Sequence, residues 1–95
     1  MGTMLRISEA ASLAIHAMAI MAREPDAVHS THGVATELGV SEAHLAKVMQ
    51  RLTRAGLVTS VRGPKGGFLL ARPAADITLL TIYECIEGPL EPRNQ

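Results

Sequence analysis

The chain has 95 residues and a formal net charge of zero. This length suits one domain that buries roughly 60 to 65% of its unfolded surface, so folding requires neither disulfides nor a metal. The sequence has one cysteine and no secretory signal, which favours a reducing, cytoplasmic location. Its longest apolar segment falls short of the roughly 20 residues that a membrane span needs.

The first predicted helix spans residues 8–22 and is apolar on nearly all sides. A helix of this kind packs on two sides, and we expect one side to be the domain core. A partner subunit is the candidate for the other side. Residues 23–29 contain Pro25 and Asp26 and are predicted to form a loop.

Two further helices are predicted on either side of a tight turn at Gly39-Val40. The first spans residues 30–38, and the second begins at Ser41, whose hydroxyl suits a helix N-cap, and ends at Gly56. The apolar stripe of the second helix consists of Leu45, Val48, Met49, Leu52 and Ala55. Its outward face consists of Ala43, Lys47, Gln50, Arg51 and Arg54, with His44 on the flank. Together the two helices are typical of a helix-turn-helix.

A β-hairpin follows this second helix. Residues 57–62 are rich in valine and threonine, residues 63–67 (Gly-Pro-Lys-Gly-Gly) turn the chain, and residues 68–71 are apolar again. Residues 72–76 are predicted to form a loop. Thr78 can cap a last helix that runs to Glu87 and stops at Gly88-Pro89. The predicted apolar face of that helix consists of Leu79, Ile82, Cys85 and Ile86.

Positive charge is concentrated in the helix and the hairpin. Residues 41–72 hold six of the nine basic side chains and one acid, a charge of +5 between segments of −2 and −3. A basic helix fits the major groove of DNA, and a basic hairpin loop can follow the backbone or enter the minor groove. The predicted fold class is therefore mainly α with a small β-hairpin, a winged helix-turn-helix.

Other chemistries are poorly supported by the sequence. The glycine turn lacks the pattern of a nucleotide-binding P-loop. His29 and His32 have a spacing seen in metal sites but no cysteine nearby, and His44 has no accompanying nucleophile. Cys85 lies on an apolar stripe, which favours a buried hydrophobic residue over a reactive thiol. We therefore predict that the protein is not an enzyme.

The chain resembles the Rrf2 family of bacterial winged-helix transcription regulators, which includes the iron–sulfur cluster regulator and the nitric-oxide-sensing repressors. The resemblance is carried by residues 61–73 (VRGPKGGFLLARP), 77–80 (ITLL) and 87–88 (EG). It extends upstream through residues 39–41, 54–58 and 14–22, and so covers nearly the whole chain. It implies a dimeric DNA-binding regulator, often one whose DNA affinity depends on an iron–sulfur cluster.

The chain also departs from the family pattern. Family members usually continue into cluster-ligating cysteines and a long dimerisation helix. We therefore expect residues 1–88 to be the DNA-binding domain and residues 89–95 to begin a sensor and dimerisation region. No cofactor is expected in this chain. An iron–sulfur cluster is expected only if the full-length protein has downstream cysteines. Glu9 lies near a position where the family often has a basic residue that contacts phosphate, and Gly33 occupies a position where it commonly has glutamate. His44 and Ala46 stand where some members have a tyrosine and a glutamate that read bases, so an operator sequence cannot be transferred.

The expected partners are double-stranded DNA and a second copy of the chain. No association with a membrane is expected. The residues expected to contact DNA are Ser41, His44, Lys47, Gln50, Arg51, Arg54, Arg62, Gly63, Lys65, Gly66 and Gly67. Two alternatives remain at this point. The winged helix could be a protein-interaction module that does not bind DNA, or this segment could itself sense a metal or a redox signal.

Overall fold

The computed structural model describes residues 7–89, which form four α-helices and one antiparallel hairpin in the predicted order. The elements are α1 (Glu9–Arg23), α2 (Thr31–Leu38), α3 (Glu42–Arg54), β1 (Val58–Val61), β2 (Gly67–Leu70) and α4 (Leu79–Glu87), with a 3₁₀ turn at Ala74–Asp76 before α4. The predicted winged helix-turn-helix is confirmed. Residues 90–95, most of the predicted tail, lie outside the described residues.

Each α-helix begins after a serine or threonine whose hydroxyl accepts a backbone N–H of the first turn. The caps are Ser8, Ser30, Ser41 and Thr78, and the oxygen–nitrogen distances are 2.9 to 3.0 Å. A cap of this kind typically contributes about 1 kcal/mol. The Ser8 hydroxyl also donates a hydrogen bond to the Glu87 carboxylate. This bond joins the start of α1 to the end of α4.

Two glycines make the turns on either side of α3. Gly39 ends α2 with φ of +72°, and Gly56 follows α3 with φ of +79°, a region that residues with a side chain rarely adopt. The Val40 N–H then donates to the Ala35 carbonyl at 3.0 Å, and the Leu57 N–H donates to the Leu52 carbonyl at 3.0 Å. These bonds fix the direction in which the chain enters and leaves α3.

The core lies where α1 meets the other helices and the hairpin. Its buried members are Ala11, Leu13, Ala14, Ala17, Met18, Met21, Val34, Ala35, Leu45, Val48, Met49, Leu52, Leu57, Val58, Ile82 and Ile86. α1 contacts α2, α3, α4 and β2, so its apolar residues pack on one broad internal face. Ala19 and Ala22 on the other side are exposed to solvent. No helix within residues 7–89 has both the length and the apolarity required to span a bilayer.

The structure corrects the sequence interpretation in four places. The predicted loop 23–29 ends in a β-bridge between His29 and Phe68, and the predicted loop 72–76 contains the 3₁₀ turn. Ala55 is exposed because α3 ends one residue before it. Leu79 is 66% exposed because it is the first residue of α4, beyond the point where that helix meets the core.

Candidate nucleic-acid interface

The candidate interface begins with the outward face of α3. Leu45, Val48, Met49 and Leu52 are all buried, with 3% or less of their surface exposed, so this stripe fixes the rotation of the helix. The six outward residues are all exposed: Ala43, His44, Lys47, Gln50, Arg51 and Arg54. The predicted division of α3 into a core face and a solvent face is therefore confirmed, apart from Ala55.

The hairpin presents a second basic element, the wing, which we define as residues 58–70. Val61 pairs with Gly67, and between them the Gly66 N–H donates to the Gly63 carbonyl at 2.9 Å to close a tight turn. A Cβ atom at Gly66 would lie 2.1 Å from the Val61 carbonyl oxygen, so only glycine fits there. Arg62 and Lys65 are exposed at the tip. The predicted glycine turn is confirmed, and it places both cations in solvent.

Leu57 connects α3 to the wing. It is 1% exposed, its N–H is bonded to the last turn of α3, and its carbonyl accepts the Ala71 N–H at 3.0 Å. Both ends of the hairpin are thereby held next to the end of α3. Because the base of the wing is fixed in this way, the wing has a defined position relative to α3. We define the outward face of α3 and the wing tip together as the composite surface.

The basic side chains of this surface lack acidic partners. Among residues 7–89, the ion pairs are Arg23 with Glu37 and His32 with Glu42, the latter at 2.5 Å between Nδ1 and Oε2. Neither pair includes a cation of α3 or the wing. The cations left without an ion pair there are Lys47, Arg51, Arg54, Arg62 and Lys65. Their charge is available to a polyanion.

The N-terminus of α3 has a free donor of its own. The Ser41 hydroxyl oxygen accepts the His44 N–H at 3.0 Å, which leaves the hydroxyl proton available to an acceptor in solvent. Helix N-termini attract anions because their first amides point outward. Glu42 opposes this locally, although its carboxylate is directed to His32 on α2.

Arg51 differs from the other cations of α3 because it contacts α4. Its Nη1 donates to the Ile86 carbonyl at 3.2 Å, and its own carbonyl accepts the Cys85 thiol at 3.4 Å. The apolar stripe predicted a buried Cys85, but the residue is only half-buried. Burial raises the pKa of the Cys85 thiol, and the nearby Arg51 charge partly offsets that rise.

A cleft of about 310 Å³ lies beside the start of α3. Its polar lining residues are Glu9, Ser12, His16 and His44. The His16 ring is held by the Ser12 carbonyl at 2.7 Å from Nδ1. The Glu9 carboxylate therefore places a negative charge in the same cleft as His44.

Residues 7–89 do not provide a ligand set for an iron–sulfur cluster or another metal centre. Within residues 7–89, no three histidine, cysteine or acidic side chains are grouped to hold a metal ion. An iron–sulfur cluster generally takes four protein ligands, mainly cysteines, and the chain has one cysteine. His29 and His32, which have a metal-like spacing, instead contact the Glu24 carbonyl and the Glu42 carboxylate.

The structure brings the predicted DNA-contact residues together on α3 and at the wing tip, with Ser41 at the start of α3. The sequence interpretation missed a supporting residue, His29, whose backbone pairs with Phe68 behind Gly67. A Cβ atom at Gly67 would lie 2.2 Å from the His29 carbonyl oxygen. The second glycine of the Gly66-Gly67 pair was the available signal, because such a pair often marks a close backbone approach.

Known proteins share this fold and much of this sequence. The family model Rrf2, described as an iron-dependent transcriptional regulator, matches residues 7–95. YwgB of Bacillus subtilis (strain 168), named as an HTH-type transcriptional regulator, is 40% identical over 76 residues, which are 79% of this chain and 49% of YwgB. The chain spans about half the length of the curated relatives it matches.

Two solved structures are similar to the whole described fold. CymR of B. subtilis, described as the global cysteine regulator, has a TM-score of 0.91 and 31% identity over 97% of this chain and 72% of CymR. IscR of T. potens has a TM-score of 0.79 and 34% identity over 96% of this chain and 67% of IscR. Since the family model covers nearly the entire sequence, the chain belongs to the Rrf2 family of transcriptional regulators.

Proposed function

We propose that the chain is the DNA-binding domain of a sequence-specific transcription regulator. The observation that supports this best is the composite surface. It exposes five cations without carboxylate partners, three on the outward face of α3 and two at the wing tip. The family match and the helix-turn-helix relatives support the same function. In this proposal the protein acts on DNA in the cytoplasm of a bacterial cell.

The residues have different roles in this proposal. His44, Lys47 and Gln50 approach base edges in the major groove, while Ser41, Arg51 and Arg54 contact or approach phosphates. Arg62 and Lys65 engage the minor groove or its rim. Gly63, Gly66 and Gly67 keep the wing backbone compact enough for those two side chains to project from its tip.

The full-length protein acts as a homodimer in this proposal. A two-fold regulator covers two half-sites about one helical turn of DNA apart, which increases its affinity over a single domain. An iron–sulfur cluster would belong to the regulator only through cysteines outside this sequence, because residues 7–89 offer no ligand set. Reading the gene beyond Gln95 for cysteine codons tests that part directly.

The salt dependence of binding tests the DNA proposal. Log affinity for duplex DNA falls with log salt by about 0.9 per phosphate contacted, whereas an apolar protein contact does not weaken with salt in this way. Replacing Arg62 and Lys65 by alanine should lower that slope by about two if each contacts one phosphate. Fluorescence anisotropy with a short labelled duplex measures both quantities.

Arg23→Ala is the matched control, because Arg23 is paired with Glu37 away from the composite surface. It should leave the slope unchanged. A folded protein that does not bind duplex DNA at low salt would exclude the proposed function and favour the protein-interaction module. An unchanged slope in the wing variant would remove the wing from the interface.

A further inference from the structure

We propose that Arg51 couples the end of α4 to the DNA-contacting face, so that the position of the last turn of α4 changes DNA affinity. This inference rests on the proposed function. Arg51 projects from the outward face of α3, between Lys47 and Arg54. Its guanidinium nevertheless reaches the last turn of α4 through the 3.2 Å bond to the Ile86 carbonyl.

The contact between the two helices runs in both directions. The Arg51 side chain donates to α4, and the Arg51 backbone carbonyl accepts the Cys85 thiol at 3.4 Å. A displacement of the last turn of α4 therefore acts on both the side chain and the backbone of one α3 residue. No other α3 cation has a hydrogen bond to α4 within the described part of the chain.

Arg51 contributes to the C-terminal capping of α4. The last carbonyls of a helix have no partners within the helix, and α4 has no basic residue in its own last turn. The Gly88 N–H donates to the Glu84 carbonyl at 2.8 Å, and Arg51 serves the Ile86 carbonyl. The position of that carbonyl therefore orients the guanidinium.

An arginine can serve both partners at once. Its planar guanidinium has five N–H donors, so one edge can hold the Ile86 carbonyl while another meets a phosphate oxygen. Arg51 is exposed, which leaves the second edge accessible. Arg51 is thus a positioning residue as well as a phosphate contact, and loss of the Ile86 carbonyl from its place lowers DNA affinity.

Gly88 provides a way to move the end of α4 without touching the DNA face. Its φ is +90°, which residues with a side chain rarely adopt, and a Cβ atom there would meet no neighbour within 4 Å. Gly88→Ala therefore strains the backbone at the end of α4 and causes no direct clash. We expect it to weaken binding to a short random-sequence duplex at low salt.

A double-mutant cycle tests the coupling. In the Arg51→Ala background, Gly88→Ala should have almost no further effect on binding, which corresponds to a coupling factor of about fivefold or more. Arg54→Ala is the matched control, since Arg54 is an exposed α3 arginine without a bond to α4. In that background Gly88→Ala should weaken binding as it does in the wild type, within about twofold.

Arg51→Lys separates charge from bridging. Lysine is a point charge that cannot hold two acceptors on fixed edges, so it should keep the salt slope and lose the coupling to Gly88. Arg51→Ala should lower the slope by about one. An arginine that only caps α4 would change thermal stability and leave the slope intact, and that result would overturn the inference.

The outcomes distinguish this inference from the proposed function. Binding that weakens with Arg54→Ala and with the wing variant, but with additive Arg51 and Gly88 effects, overturns the coupling and retains DNA binding. Binding that none of these substitutions changes overturns both. Circular dichroism of each variant at the binding temperature confirms that the comparison is made on folded protein.

Discussion

The backbones of His29 and Phe68 form a pair of hydrogen bonds, each 2.8 Å from nitrogen to oxygen. This pair joins the chain before α2 to β2, so the wing is attached to the helix-turn-helix from the side as well as at its base. Gly67, next to Phe68, permits the approach because it has no side chain. The position of the wing therefore depends on the contact between His29 and Phe68 as well as on the junction at Leu57.

Gly67→Ala should detach the wing from His29. The added Cβ atom would lie 2.2 Å from the His29 carbonyl oxygen, a backbone atom that cannot rotate away. We expect a loss of about 1 to 3 kcal/mol in the free energy of unfolding, with weaker DNA binding in the folded variant. Urea unfolding and anisotropy measure the two effects.

Ser60→Ala is the control for that substitution, because Ser60 is exposed and lies opposite Phe68 in the same hairpin. It should change stability by less than about 0.5 kcal/mol. Equal stability and equal DNA affinity of the Gly67 and Ser60 variants would show that the bridge to His29 does not position the wing.

The sequence predicts α3 and the wing because local patterns specify them. The stripe from Leu45 to Leu52 has the helical period, Ser41 and Gly56 mark its ends, and the glycine turn follows between two apolar runs. Residues close in sequence decide each of these features. The predicted bounds therefore agree with the structure to within one or two residues.

The contacts of His29 and Arg51 could not be predicted in the same way. The bridge from His29 to Phe68 is made by backbone atoms. Gly67 signals that another backbone approaches, but nothing in the sequence identifies His29 as the partner. The bond from Arg51 to Ile86 joins residues 35 positions apart, and an outward arginine on a helix looks the same whether or not another helix ends beside it. Long-range packing decides both contacts.

Leu45→Ala should destabilise the domain strongly. Leu45 is fully buried at the start of α3, where a truncated side chain leaves a cavity, and we expect a loss of about 2 to 5 kcal/mol. Leu80→Ala makes the same chemical change at a residue that is 51% exposed, and should cost less than about 1 kcal/mol. Similar losses by urea unfolding for both variants would mean that α3 does not pack on the core as described.

The Cys85 thiol should react slowly in the native protein. Burial raises its pKa despite the opposing Arg51 charge, so little thiolate is present near neutral pH. A disulfide reagent should therefore modify Cys85 more slowly in native than in urea-unfolded protein at the same pH. Equal rates would show that the thiol is not shielded from the reagent and that its pKa is not raised.

The raised pKa of Cys85 also makes stability depend on pH. The folded state holds the thiol proton more tightly than the unfolded state, so this contribution is complete below the unfolded pKa and is lost as pH rises through the folded one. Above about pH 8.5 the wild type should lose stability faster than Cys85→Ala. Parallel pH profiles of the two proteins in urea unfolding would contradict this assignment.

Lys47 and Arg54 should contribute differently to DNA recognition. Lys47 lies in the middle of the exposed face of α3, where a helix in the major groove reaches base edges, and Arg54 ends the helix next to the wing. A specific base contact is worth about 1 to 3 kcal/mol against a wrong base, whereas a phosphate contact is independent of sequence. Selection from randomised duplexes should therefore give an altered preferred site for Lys47→Ala. Arg54→Ala should keep the preferred site, weaken binding to all sequences and lower the salt slope by about one. If both variants lose affinity equally on every sequence, then Lys47 contacts the backbone and base recognition must come from His44 and Gln50.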